Sequence, residues 1–96
     1  MRKGLLRYVA HLSLKALKSG VKNLSASDLK AIRGMMMSLL DGTFPLRDQE
    51  IEMMSPHKAF IRKMAYEGIR KCELNKYCNS LLKVLRIARP ILKRFL

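Results

Sequence analysis

The sequence predicts an all-α protein, a compact bundle of about four amphipathic helices. Three observations carry this. Apolar residues recur at three- and four-residue spacings nearly throughout, without the sustained alternation a strand needs. Helix-end signals at Gly20, Ser25, Gly42, Ser55-Pro56 and Pro90 divide that pattern into helix-sized segments. Finally, 49% hydrophobic residues in 96 supply enough Leu, Ile, Val and Met for a core, which excludes a disordered basic tail.

The first helix is expected over about residues 3–19, with Leu5, Leu6, Val9, Leu12, Ala16 and Leu17 on its apolar arc. Lys3, Arg7, His11, Lys15, Lys18 and Lys22 take the opposite arc, where Leu14 is the one apolar residue. Gly20 marks its end, with Lys18 in the last turn. In the second helix either Ser25 or Ser27 can cap the start, and Asp28 lies near the positive end of the dipole. Its stripe is Leu29, Ile32, Met35, Met36, Leu39 and Leu40, and Gly42 stops it. Residues 46–54 are weakly helical and acidic.

Ser55-Pro56 reads as a fresh helix start, Ser as cap and Pro at the first position. The third helix then runs to about Asn75, burying Phe60, Ile61, Met64, Ala65, Ile69 and Cys72. The fourth covers about Ser80–Arg89, with Leu81, Leu82, Val84, Leu85 and Ala88 inward. Only weak breakers separate Asn75 from Asn79, so helices three and four are open to being continuous. Pro90 is expected to kink or restart the last helix. Most of the seven Met residues lie between positions 35 and 64, and core filling is their commoner use.

This length allows one domain, residues 1–96, and excludes a two-domain enzyme. Two cysteines are too few for a disulfide-stapled secreted module. No apolar run approaches the roughly 20 residues of a membrane span, and Arg7, His11 and Lys15 interrupt any signal-peptide core. The expected location is cytoplasmic or nuclear, including that of an infected cell.

Charge is the most informative property. Twenty Lys and Arg against seven Asp and Glu give +13 and a pI near 10.4. Residues 1–24 carry +6 and residues 58–96 carry +9, around a waist where residues 41–57 carry −3. If the first and last helices lie side by side, their polar faces merge into one basic surface suited to a phosphate backbone. A merely solvated helix mixes signs, and these helices lack the acids to do so. Lys3, Arg7, Lys15, Lys18, Lys22, Lys83, Arg86, Arg89, Lys93 and Arg94 are therefore the expected phosphate contacts.

The partner is nucleic acid, with a duplex favoured and DNA versus RNA open. Tyr8, Tyr66 and Tyr77 are too scattered to signal a stacking platform. No zinc-finger spacing, aromatic RNA-binding motif or GXXG loop is present. A homodimer pairing two basic faces is expected. Asp41, Asp48, Glu50 and Glu52 form an acidic patch that could meet a basic face of another copy. The competing readings are a small viral or phage accessory module docking on a partner protein and, third, a peripheral binder of anionic membranes through residues 80–96.

Catalytic and metal chemistry find no support. Cys72 and Cys78 lack CxxC spacing, and His11 and His57 form no HxxxH pair. On one continuous helix the two cysteines would point about 120° apart, beyond the usual bridging range of about 7 Å between Cα atoms. A disulfide would require the chain to break between them, so ordinary thiols are the expectation. His57 shares an arc with Phe60 and Met64 and reads as structural rather than as a base. With no phosphate-binding glycine loop and no nucleophile elbow, neither an enzyme nor a cofactor is expected.

Overall fold

The computed structural model describes residues 2–75 and 78–96; Met1, Lys76 and Tyr77 lie outside the described residues. All regular structure among them is helical: α1 (Lys3–Ser19), α2 (Ala26–Asp41), α3 (Asp48–Met54), α4 (Lys58–Lys63), α5 (Ile69–Asn75) and α6 (Asn79–Leu92). α4 and α5 form a single rod, so four long rods make the bundle. α1 packs between α2 and α6, α2 packs on α4 and α5, and α6 closes the ring against the middle of the α4–α5 rod. One continuous core lies inside this ring. A radius of gyration of 12.1 Å is that of a tightly folded chain of this length.

α1 buries Leu6, Val9, Ala10, Ser13 and Ala16. This arc is rotated from the expected one: Leu5 is 43% exposed, and Leu12 and Leu17 are only partly covered. α1 is gripped from two sides, by α2 and α6, and its small residues Ala10, Ser13 and Ala16 let both neighbours approach closely. Size outweighed hydrophobicity there. The Ser13 hydroxyl is fully buried and has no hydrogen-bond partner among the described residues.

α2 begins as its sequence predicts. The Ser25 hydroxyl accepts from the Asp28 N–H at 3.1 Å, and the Asp28 carboxylate accepts from the Ser25 N–H at 3.0 Å, a reciprocal capping box. Tyr8 of α1 donates its hydroxyl to the same carboxylate at 2.9 Å, tying α1 to the start of α2. Gly42 ends α2 at φ 83°, a left-handed conformation that only glycine adopts without steric cost.

Ser55 is not a cap. Its backbone is helical (φ −53°, ψ −45°), and Ser55–His57 is a 3₁₀ turn joining α3 to α4. The chain therefore stays helical from Asp48 to Asn75, with Pro56 in the 3₁₀ turn that joins α3 to α4. Within this rod Met64–Gly68 forms a π turn, in which the Ile69 N–H donates to the Met64 carbonyl.

The rod and α6 are not continuous. Cys78 is extended (φ −142°, ψ 93°) and immediately precedes α6. That break brings the Cα atoms of Cys72 and Cys78 to 5.1 Å, and the two form a disulfide. Both the continuous-helix alternative and the free-thiol expectation are thereby corrected. Helical spacing would hold the two cysteines apart, but α5 ends at Asn75 and Cys78 is extended.

α6 also runs past Pro90 to Leu92 instead of ending at Arg89. An interior proline costs about 3 kcal/mol, whereas burying one large aliphatic side chain returns about 1.5–3 kcal/mol. Ile91 and Leu92 are both fully buried, so continuing the helix is the favourable course. A 3₁₀ turn, Lys93–Phe95, follows and sets Phe95 edge-to-face on Phe44 with centroids 5.4 Å apart.

Candidate nucleic-acid interface

The amphipathic pattern of α1 and α6 dictates where their cations go. Their apolar stripes enter the core, so the Lys- and Arg-bearing arcs are left outside. α1 and α6 pack side by side, the most extensive pairing in the bundle, and one groove along their seam is lined by Leu14, Leu17, Lys18, Arg89 and Lys93. Further along, Lys3 and Arg7 share a second groove with Arg94, Phe95 and Leu96. The end of α1 thus shares a groove with Arg89 and Lys93, and its start shares one with residues 94–96.

Lys3, Arg7, Lys18, Arg86, Arg89 and Lys93 are exposed and, among the described residues, have no carboxylate partner. Of these six, Lys18, Arg89 and Lys93 share one groove and Lys3 and Arg7 another, while Arg86 lines neither. The other four are placed differently. Lys15 is exposed but on the flank facing α2, close enough for its charge to act on Asp28. The Asp28 carboxyl is held below its ordinary value, chiefly by the Ser25 backbone N–H, against an opposing push from burial, with Tyr8 and Lys15 adding to the lowering. Lys22 lies beyond α1 beside a cavity lined by Val21, Leu29 and Cys72. Lys83 leans over the Phe60 ring, its ammonium 4.8 Å from the centroid, and so faces α4 rather than α1.

Arg94 is a structural tie. Its Nε donates to Glu50 Oε2 at 2.8 Å and its Nη2 to Glu50 Oε1 at 2.6 Å, a bidentate pair, and Nη2 also donates to the Pro45 carbonyl at 2.8 Å. Both partners are largely shielded from solvent. Burial pushes the Glu50 carboxyl up, but the Arg94 hydrogen bonds and the Arg47 N–H outweigh it, so the group titrates below the usual carboxylate range. This pairing removes Glu50 from the acidic patch as well. Asp41 is also engaged, accepting from the Thr43 hydroxyl at 2.6 Å and its N–H at 2.9 Å.

A second cationic group lies away from the seam. Arg33 of α2 and Arg70 of α5 meet Tyr66 and Ile69 in a cleft between their helices. No three His, Cys, Asp or Glu side chains converge among the described residues, and no helix among them is long and apolar enough to cross a membrane. No protein-family model, curated protein or solved structure matches the chain.

Proposed function

We propose that this protein binds nucleic acid without catalysing a reaction, through phosphate-backbone contacts along the α1–α6 seam and with weak sequence specificity. The observation that carries this is the seam itself: Lys18 of α1, Arg89 of α6 and Lys93 of the turn after it share one groove with no acid among its lining residues. Bringing like charges together costs stability through self-repulsion, and a polyanion relieves it. Lys3 and Lys18 are separated by about 22 Å of helix, at 1.5 Å per residue, which spans several phosphates of a duplex. The seam offers cations rather than a shaped set of base-reading side chains, which supports backbone-directed binding. A dimer joining two seams would lengthen the same track.

The protein-docking alternative has one observation in its favour. Leu39, Leu40, Phe44, Leu46 and Ile51 line an apolar groove beside α3, and Ile51 is 46% exposed. The Met-rich stripe gives it little support, because Met35, Met36, Met54 and Met64 are buried in the core. The membrane alternative has to compete with the bundle, since α6 already spends Leu81, Val84, Leu85, Ala88, Ile91 and Leu92 inside it.

Binding to duplex DNA, duplex RNA and anionic vesicles, measured on one sample at several salt concentrations, tests the proposal. Tight duplex binding that weakens linearly in log salt is expected. No duplex binding at low salt sinks it, and a rise in helicity with vesicles alone favours the membrane alternative.

A further inference from the structure

The cleft between α2 and α5 shares no residue with the α1–α6 seam, and its chemistry is more specific. It begins with a backbone irregularity. In a regular α-helix the Ile69 N–H would bond the Ala65 carbonyl, but in the π turn it is spent on Met64. The Ala65 carbonyl instead accepts from Arg33 Nε of the facing helix at 2.9 Å. A guanidinium held by its Nε has a fixed plane, and the two terminal nitrogens of Arg33 make no hydrogen bond within the described residues. Arg33 is thus immobilised at the inner edge of its fork and open at the outer edge.

Arg70 lines the same cleft, exposed and without a carboxylate partner among the described residues. Tyr66, one turn before it, is 56% exposed. Its hydroxyl has no partner among the described residues, so no hydrogen bond explains its position. The cleft encloses about 320 Å³ and Ile69 forms its apolar floor.

Two guanidinium groups with no acid between them select an anion. The planar fork of Arg33 matches phosphate oxygens in bidentate fashion, better than an ammonium would. The adjacent exposed ring adds a face for a planar apolar group. We infer that this cleft is a single-nucleotide site, in which Arg33 and Arg70 hold a phosphate and Tyr66 stacks on the attached base. The site rests on the polyanion reading only for its ligand class. It would engage one unpaired or terminal nucleotide, whereas the seam tracks a duplex.

The test is a titration with 5′-AMP, adenosine and inorganic phosphate at constant ionic strength, followed by NMR of the backbone amides and the arginine Nε–H groups. With 5′-AMP, the perturbed signals should be Arg33 Nε–H and the amides of residues 65–70. Affinity for 5′-AMP should exceed that for either fragment by about tenfold or more, the size of one stacking interaction. Tyr66→Ala and Arg33→Lys should each weaken 5′-AMP binding by about tenfold, and Tyr66→Phe should keep it. Reversing Lys18, Arg89 and Lys93 to Glu should abolish duplex binding and leave 5′-AMP binding intact, so failure of one site is distinguishable from failure of the other. The inference is overturned if the shifts map elsewhere, or if phosphate binds as well as 5′-AMP and Tyr66→Ala changes nothing. A protein that takes a phosphopeptide in preference to 5′-AMP overturns the nucleotide assignment. Because the wild-type map alone decides location, a variant that fails to fold does not shield the proposal.

Discussion

Two corners of the bundle treat arginine in opposite ways. At the α3 corner, Arg94 is gripped by both oxygens of Glu50 and by the Pro45 carbonyl, so its charge is neutralised in place. Along the α1–α6 seam, Lys18, Arg89 and Lys93 are gathered with no acid among the groove's lining residues. The protein has carboxylates and uses one where a charge must hold the fold together. The corner spends charge on stability, whereas the seam cations have no carboxylate partner among the described residues.

Exchange experiments separate the two. The largest effect is expected from Lys18→Glu, Arg89→Glu and Lys93→Glu together: duplex affinity near 100 mM salt should fall by at least about a hundredfold, with melting temperature unchanged or raised. A triple variant that melts early and binds normally would reverse the assignment of the two regions. Next is the Cys72–Cys78 disulfide, which closes a short loop where the α4–α5 rod turns into α6, a sequence separation of six. Replacing both cysteines by Ser should cost about 2 kcal/mol in denaturant unfolding, with seam binding retained below the melting temperature.

Glu50→Gln is the mirror image of the seam variant. It should cost about 1–2 kcal/mol of stability and leave duplex affinity within about twofold. The pH dependence has a definite sign. Glu50 titrates lower in the folded protein than in the unfolded chain, so its contribution is complete above the unfolded value of about 4.3. It is lost as pH falls through the folded value, and wild type and Glu50→Gln should converge in stability there. Smallest is Ser13→Ala, which removes a buried hydroxyl without a partner among the described residues and should be neutral or stabilising by up to about 1 kcal/mol.

Much of this architecture was legible in residue spacing. Ser25, Asp28 and Gly42 act locally, and the structure uses each as its chemistry predicts. The buried arc of α1 departs from the hydropathy pattern because two close neighbours select for small side chains, so Ser13 is buried and Leu5 is exposed. Ser55-Pro56 failed as a start signal because the preceding turn was already helical. The basic seam was legible as soon as α1 and α6 were set side by side. That Arg94 was not part of its free charge depended on Glu50, 44 residues away in sequence. The Arg33 cleft had a partial signal in the four-residue spacing of Tyr66 and Arg70. Its key hydrogen bond, however, depends on a carbonyl that only the π turn makes available.

The most direct test of the central claim is the salt dependence of duplex binding by wild type and by a variant with Lys18, Arg89 and Lys93 changed to Gln. Removing one cation from a phosphate should flatten the log–log slope by about 0.9. The seam account predicts a slope shallower by about two to three for the triple variant. Equal slopes for the two proteins would contradict it.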